Sequence, residues 1–143
     1  RAVRIDQVNN RWVVIDYKSS NKTASGATKS PPTDLQLPIY SLLDEHITSV
    51  VYACISDKDV KAVGIGEQPL TDTKSSALLV KPPPQPWAEQ RNQWQATLTE
   101  LAQALHDGAA TVTPRKGACR YCHLQGLCRI NTPSDEDSDY EYD

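Results

Sequence analysis

Two runs of alternating apolar and polar residues, Val3-Arg4-Ile5-Asp6-Gln7-Val8 and Arg11-Trp12-Val13-Val14-Ile15-Asp16-Tyr17-Lys18, flank Asn9-Asn10 near the start of the chain. Period-two alternation around turn residues predicts an antiparallel β-hairpin. Loop length then decides which side chains share a face, because a one-residue slip in register turns every side chain over. A two-residue loop would set Asp6 against Val13 and point the apolar sets of the two strands in opposite directions. A three-residue loop, Asn9-Asn10-Arg11, places Val3, Ile5, Val13, Ile15 and Tyr17 on one face, so this is the expected register. The other face then gathers Asp6, Val14, Asp16 and Lys18, with the two carboxylates diagonal neighbours about 7 Å apart.

Two carboxylates held that close repel unless a cation lies between them. Hard oxygen ligands suit Mg²⁺ or Mn²⁺, which bind through one or two carboxylates together with water and substrate phosphate. Lys18, on the same expected face, can offset charge on an attacked phosphate or hold a metal-associated water. The spacing therefore predicts metal-assisted hydrolysis, against the blander reading of a solvated sheet face.

At 143 residues and 38% hydrophobic content the chain is long enough for one core without disulfide staples. It has no apolar run of the roughly 20 residues that span a bilayer, and no signal-peptide pattern at its start, so the expectation is a soluble, cytoplasmic protein with no membrane partner. It opens on Arg1 and contains no methionine, which points to an excised piece. The formal charge of -3 conceals an asymmetry: Ser134 to Asp143 hold six of the 18 acids, leaving 12 against 15 bases in the rest, a balance of +3. That balance permits a nucleic-acid partner. Residues 131–143 read as a disordered acidic tail and 1–130 as the folded domain.

Lys18 to Pro32 lacks periodicity and reads as a long loop beside the hairpin, with Lys22 and Lys29 available to phosphates. Asp34 can cap a following helix in which Gln36 and Tyr40, four apart, share one face, and Leu35, Ile39, Leu42 and Leu43 form the core face. Ile47 to Ile55 should be a buried strand and Val60 to Ile65 its partner, joined by the turn Ser56–Asp59. Pro82 to Pro86 is an extended linker. Trp87, Trp94, Leu98, Leu101 and Leu105 make a helical stripe ended at Asp107-Gly108, with both tryptophans in the core.

Cys119-x2-Cys122-x5-Cys128, flanked by Gly117 and Gly126, has metal-site spacing. Iron–sulfur clusters and structural zinc both call for four ligands, so the fourth is Cys54, His123 or a residue outside the chain. Cys54 itself sits in an apolar strand, where cysteine is usually a small buried residue. Arg115, Lys116, Arg120 and Arg129 surround the cysteines and suggest a phosphate-contacting patch.

With Asp6, Asp16-Tyr17-Lys18, Gln36-Leu37-Pro38-Ile39-Tyr40 and the three cysteines in this order, the chain resembles the PD-(D/E)xK nuclease superfamily, more narrowly the nuclease domains of RecB and AddB type. The resemblance implies an α/β fold with a restriction-endonuclease-like core: a mixed central β-sheet flanked by helices, with a C-terminal cysteine loop. It implies that Asp6, Asp16 and the backbone carbonyl of Tyr17 hold Mg²⁺ or Mn²⁺, that Lys18 is the catalytic lysine, and that Gln36 and Tyr40 support the site. Relatives also carry an acidic or histidine ligand on a helix upstream of Asp6, which is expected before Arg1. In the AddB-like branch Cys119, Cys122 and Cys128 would join a fourth cysteine, also before Arg1, around a [4Fe–4S] cluster, with zinc and His123 as the rival. The implied function is a metal-dependent deoxyribonuclease within a larger DNA-repair or helicase-associated protein. A non-catalytic DNA-binding module of the same fold and a structural zinc or iron–sulfur module are the alternatives.

Overall fold

The computed structural model describes residues 3–57, 59–70, 77–114, 117–120 and 122–128, which form two units, Arg1–Gln103 and Ala104–Asp143. The first is built on a five-stranded mixed sheet in chain order: β1 (Val3–Val8), β2 (Arg11–Lys18), β3 (Ile47–Ile55), β4 (Val60–Gly66) and β5 (Leu78–Lys81). β1–β2 and β3–β4 are antiparallel, whereas β2–β3 and β4–β5 are parallel. The segment from Ser19 to Leu35 and the short helix α1 (Gln36–Ser41) make the crossover between β2 and β3. β5 has no counterpart among the sequence expectations; four residues after a polar stretch give periodicity little to register.

The hairpin takes the two-residue loop, not the expected three-residue one. Asn9 and Asn10 adopt φ of 51° and 60°, and Val3 pairs with Asp16, Ile5 with Val14 and Asp6 with Val13. Positive φ at both central residues is the type I′ turn, whose twist matches that of the strands and which asparagine tolerates well. The three-residue register follows only if one face of the hairpin alone is buried. In fact β2 is interior and buried on both sides. Val14 joins Val50, Tyr52, Cys54, Ile65, Leu37, Trp87 and Trp94 in one core, while Val13 joins Val51, Leu70 and Val80 in another. β1 lies at the sheet edge, and its Val3 and Ile5 remain 42% and 43% exposed.

Helix α1 buries Leu37, Pro38 and Ser41, whereas Ile39 and Leu43 are exposed. The expected core face is thus rotated: with only six residues, α1 is oriented by its ties to the sheet more than by its own stripe. Helix α2 (Trp87–His106) buries Trp87, Gln90 and Trp94, and leaves Leu101 and Leu105 exposed. The tryptophan rings meet edge to face at 5.8 Å, and their indole N–H groups donate to the carbonyls of Ile47 and Ala27. Arg91 donates to the carbonyls of Asp44 and Glu45, fastening α2 to the turn after α1. At the end of α2, Gly108 has φ +72°, with Gly108 N–H on Leu105 O and Ala109 N–H on Ala104 O, the paired bonds of a glycine C-cap.

The hairpin makes a direct prediction. Asn10→Val, β-branched in a left-handed conformation, should lower stability by about 1–2 kcal/mol, whereas Asn10→Gly should not. Urea unfolding of both variants checks it.

Candidate active site

Asp16 and Lys18 leave β2 on the face that carries α1, alongside Val14. Asp16 is 0% exposed and the Lys18 side chain 9%, with Lys18 Nζ at 2.8 Å from Asp16 Oδ2. Among the described residues neither oxygen of Asp16 has an aligned hydrogen-bond donor, so Lys18 supplies charge without saturating the carboxylate. Lys18 Nζ also donates to Gln36 Oε1 at 2.7 Å, and Gln36 Nε2 donates to Tyr40 Oη at 2.8 Å. Four of the expected site residues, Asp16, Lys18, Gln36 and Tyr40, therefore form one continuous polar chain between sheet and helix.

Asp6 is not part of it. Paired with Val13, it projects from the opposite face of the sheet, where Arg4 Nε donates to Asp6 Oδ1 at 2.6 Å. That contact and the charge of Asp6 raise the pKa of the Arg4 guanidinium. The expectation that Asp6 and Asp16 share a face fails for the reason given by the turn: with two loop residues the positions differ by one step of a period-two pattern. Val3 stands opposite Asp16 instead.

Two residues that the sequence did not single out as site residues complete the geometry. Asp34, expected only as a helix cap, accepts the Gln36 N–H through Oδ1 at 3.0 Å, and the Tyr52 hydroxyl donates to its Oδ2 at 2.7 Å. Tyr52, read as one residue of a buried strand, is the ladder partner of Asp16, and Lys18 Nζ lies 5.1 Å from its ring centroid. Burial, then the bond to Asp34, then the charges of Asp34 and Asp16 push the Tyr52 phenol well above its ordinary pKa, so it stays a donor. A cleft of about 580 Å³ opens beside this group, lined in part by Lys18, Ser20, Lys22, Asp34, Gln36 and Tyr52. Only pairing across strands could have revealed Tyr52, since its neighbours in sequence are all apolar or small.

The mixed sheet thus carries a buried Asp-x-Lys on one interior strand, answered by Gln and Tyr from a helix in the crossover. The model of the PD-(D/E)XK nuclease superfamily matches residues 4–129. The chain belongs to that superfamily. Comparison with curated proteins and with solved structures returns no match. The expected fold, an α/β restriction-endonuclease-like core with a mixed sheet and helices, is the one observed.

Superfamily members of this kind use divalent metals, and the residues here fit such an ion in part. A wholly buried carboxylate with both oxygens lacking aligned donors is a natural cation ligand, so Asp16 fits. Asp6 does not, and no group of three or more His, Cys, Asp or Glu able to hold a metal occurs among the described residues. The same holds for the cysteines. Cys119 and Cys128 are exposed, Cys122 is half-buried, none is in a disulfide, and Cys54 is buried in the sheet core. Short turns organise the loop, with Arg120 N–H on Gly117 O and Cys122 N–H on Cys119 O. The cluster implied by the resemblance takes its fourth ligand from before Arg1. Arg115, Lys116 and Arg129 of the expected phosphate patch, and the acidic tail, lie outside the described residues. No helix among the described residues is long and apolar enough to cross a membrane.

Two stability measurements follow from the site. Lys18→Met strands the buried Asp16 charge and should cost about 3–5 kcal/mol, while the double variant Asp16→Asn/Lys18→Met should recover much of that loss. Because the Tyr52 pKa is raised in the fold, its contribution is fully present below the unfolded phenol pKa of about 10 and is lost as pH rises toward the folded value. Urea unfolding between pH 8 and 11 should therefore fall more steeply in the wild type than in Tyr52→Phe.

Proposed function

We propose that this domain is a metal-dependent deoxyribonuclease of the RecB/AddB type, acting on phosphodiester bonds within a DNA-repair or recombination protein. The observation that carries the reading is the buried Asp16–Lys18 pair joined to Gln36 and Tyr40 in a chain matched to the nuclease superfamily over residues 4–129. Asp16, with the backbone carbonyl of Tyr17, would hold Mg²⁺ or Mn²⁺; bound there, such an ion polarises a phosphate oxygen and lowers the pKa of water. The chain's own residues do the rest. Lys18, held by Gln36 Oε1, presents its ammonium toward the cleft and offsets charge developing on an attacked phosphate. Lys22 and Ser20 line the cleft where the adjoining phosphodiester backbone would run.

The hairpin register gives this site a particular character. Val3, not an acid, stands across from Asp16, so β1 and β2 offer a metal one carboxylate. An ion held by one carboxylate takes its remaining ligands from water and substrate phosphate. Metal and DNA therefore bind cooperatively, each weakly without the other. The same observation favours a second reading, a nucleic-acid-binding module of the nuclease fold that no longer cleaves.

Cleavage of labelled DNA in Mg²⁺ or Mn²⁺ decides between them. For the enzyme, Asp16→Asn and Lys18→Ala should each lower the rate about 10²–10³-fold, and Asp6→Asn should leave it unchanged. Binding of DNA without cleavage at any metal concentration would replace the enzyme with the binding module. Titration of Mn²⁺ by electron paramagnetic resonance should show tighter binding when oligonucleotide is present, and Val3→Asp should tighten it without DNA. Weakened Mn²⁺ binding in Asp6→Asn would refute the one-carboxylate site.

A further inference from the structure

We propose that Tyr52 and Asp34 form a strut that sets the position of Lys18, making both positioning residues of the site. The inference rests on the reading of Asp16 and Lys18 as the reactive pair, but the strut itself can be tested without catalysis. The contacts close a ring. Lys18 Nζ lies against the Tyr52 ring, the Tyr52 hydroxyl donates to Asp34, Asp34 accepts the Gln36 N–H, and Gln36 Oε1 accepts from Lys18 Nζ. A closed ring of contacts restrains each member from two sides, where an open chain would leave its end free.

The strut is needed because α1 cannot hold Gln36 in place unaided. A helix of six residues is too short to persist on its own. Its N-cap residue, Leu35, makes no side-chain cap bond, and the Gln36 N–H is satisfied by Asp34 instead. Asp34 in turn is fixed by β3, through Tyr52. The sheet thus dictates where α1 begins, and so where Gln36 meets Lys18. Were Tyr52 only a core filler, phenylalanine would serve as well, and a buried hydroxyl would be a cost unless bonded. Here the hydroxyl is bonded, and both Tyr52 and Asp34 form part of the cleft wall.

The test compares wild type, Tyr52→Phe, Asp34→Ala and the double variant. Tyr52→Phe retains the ring beneath Lys18 and removes only the strut, and it is the variant least prone to misfold. In each single variant, amide hydrogen exchange at Gln36 should speed up about tenfold, the loss of one hydrogen bond, and side-chain NMR relaxation should show Lys18 less ordered. The kcat for DNA cleavage should fall about 10- to 100-fold as Lys18 is misplaced, with KM within about twofold of wild type. The double variant should be no worse than the singles, since either cut opens the same ring. Unchanged Gln36 exchange and Lys18 order in Tyr52→Phe, or losses in the double variant that multiply, would overturn the strut. Should the wild type fail to cleave DNA, the nuclease reading falls, while the exchange and relaxation measurements still decide the strut.

Discussion

Burial of β2 on both faces is the constraint from which the rest of the first unit follows. Successive residues Val13 and Val14 point into different cores, each wholly screened from water. A strand so placed must be interior, and β3 pairs with it in parallel, which requires the long crossover that carries α1. Freed from serving a single apolar face, the hairpin to β1 is governed by its turn. Asn9 and Asn10 take the left-handed conformations of a two-residue loop, and the register follows.

The chemistry depends on the same placement. Asp16 is as buried as its valine neighbours, and such a charge is tolerated only with a partner. Lys18, two residues on and therefore on the same face, provides the charge, and α1 provides the acceptor that holds Lys18. Yet the carboxylate oxygens retain unused acceptor capacity. Asp16 can thus accept a further donor besides Lys18.

Membership of the PD-(D/E)XK superfamily and the buried Asp-x-Lys point to phosphodiester chemistry, while the opposite placement of Asp6 limits the form it takes. Tyr52 and Asp34 are bonded to each other, and Asp34 to the Gln36 N–H, so β3 is tied to the start of α1 beside the cleft. Side chains locked by such bonds hold an acid and an amine in one relative position.

The sequence by itself determined four of the five strands, because alternation from Val3 to Lys18 reads at period two and the apolar run Ile47 to Ile55, with its partner Val60 to Ile65, reads as buried strand. It also determined that Asp16 and Lys18 share one strand face and Gln36 and Tyr40 one helix face, since two apart on a strand and four apart on a helix are spacings that local geometry fixes. The meeting of the two pairs was implied by the family resemblance alone and is made by the crossover between β2 and β3. Register between strands is not local. Whether Asp6 joins Asp16 turned on one residue of loop length and on whether β2 has one buried face or two, and the second is settled only when β3 and both cores are in place. The bond between Tyr52 and Asp34 is non-local for the same reason: they are 18 residues apart, and the parallel pairing of β3 beside β2 lets the phenol reach a residue just before α1.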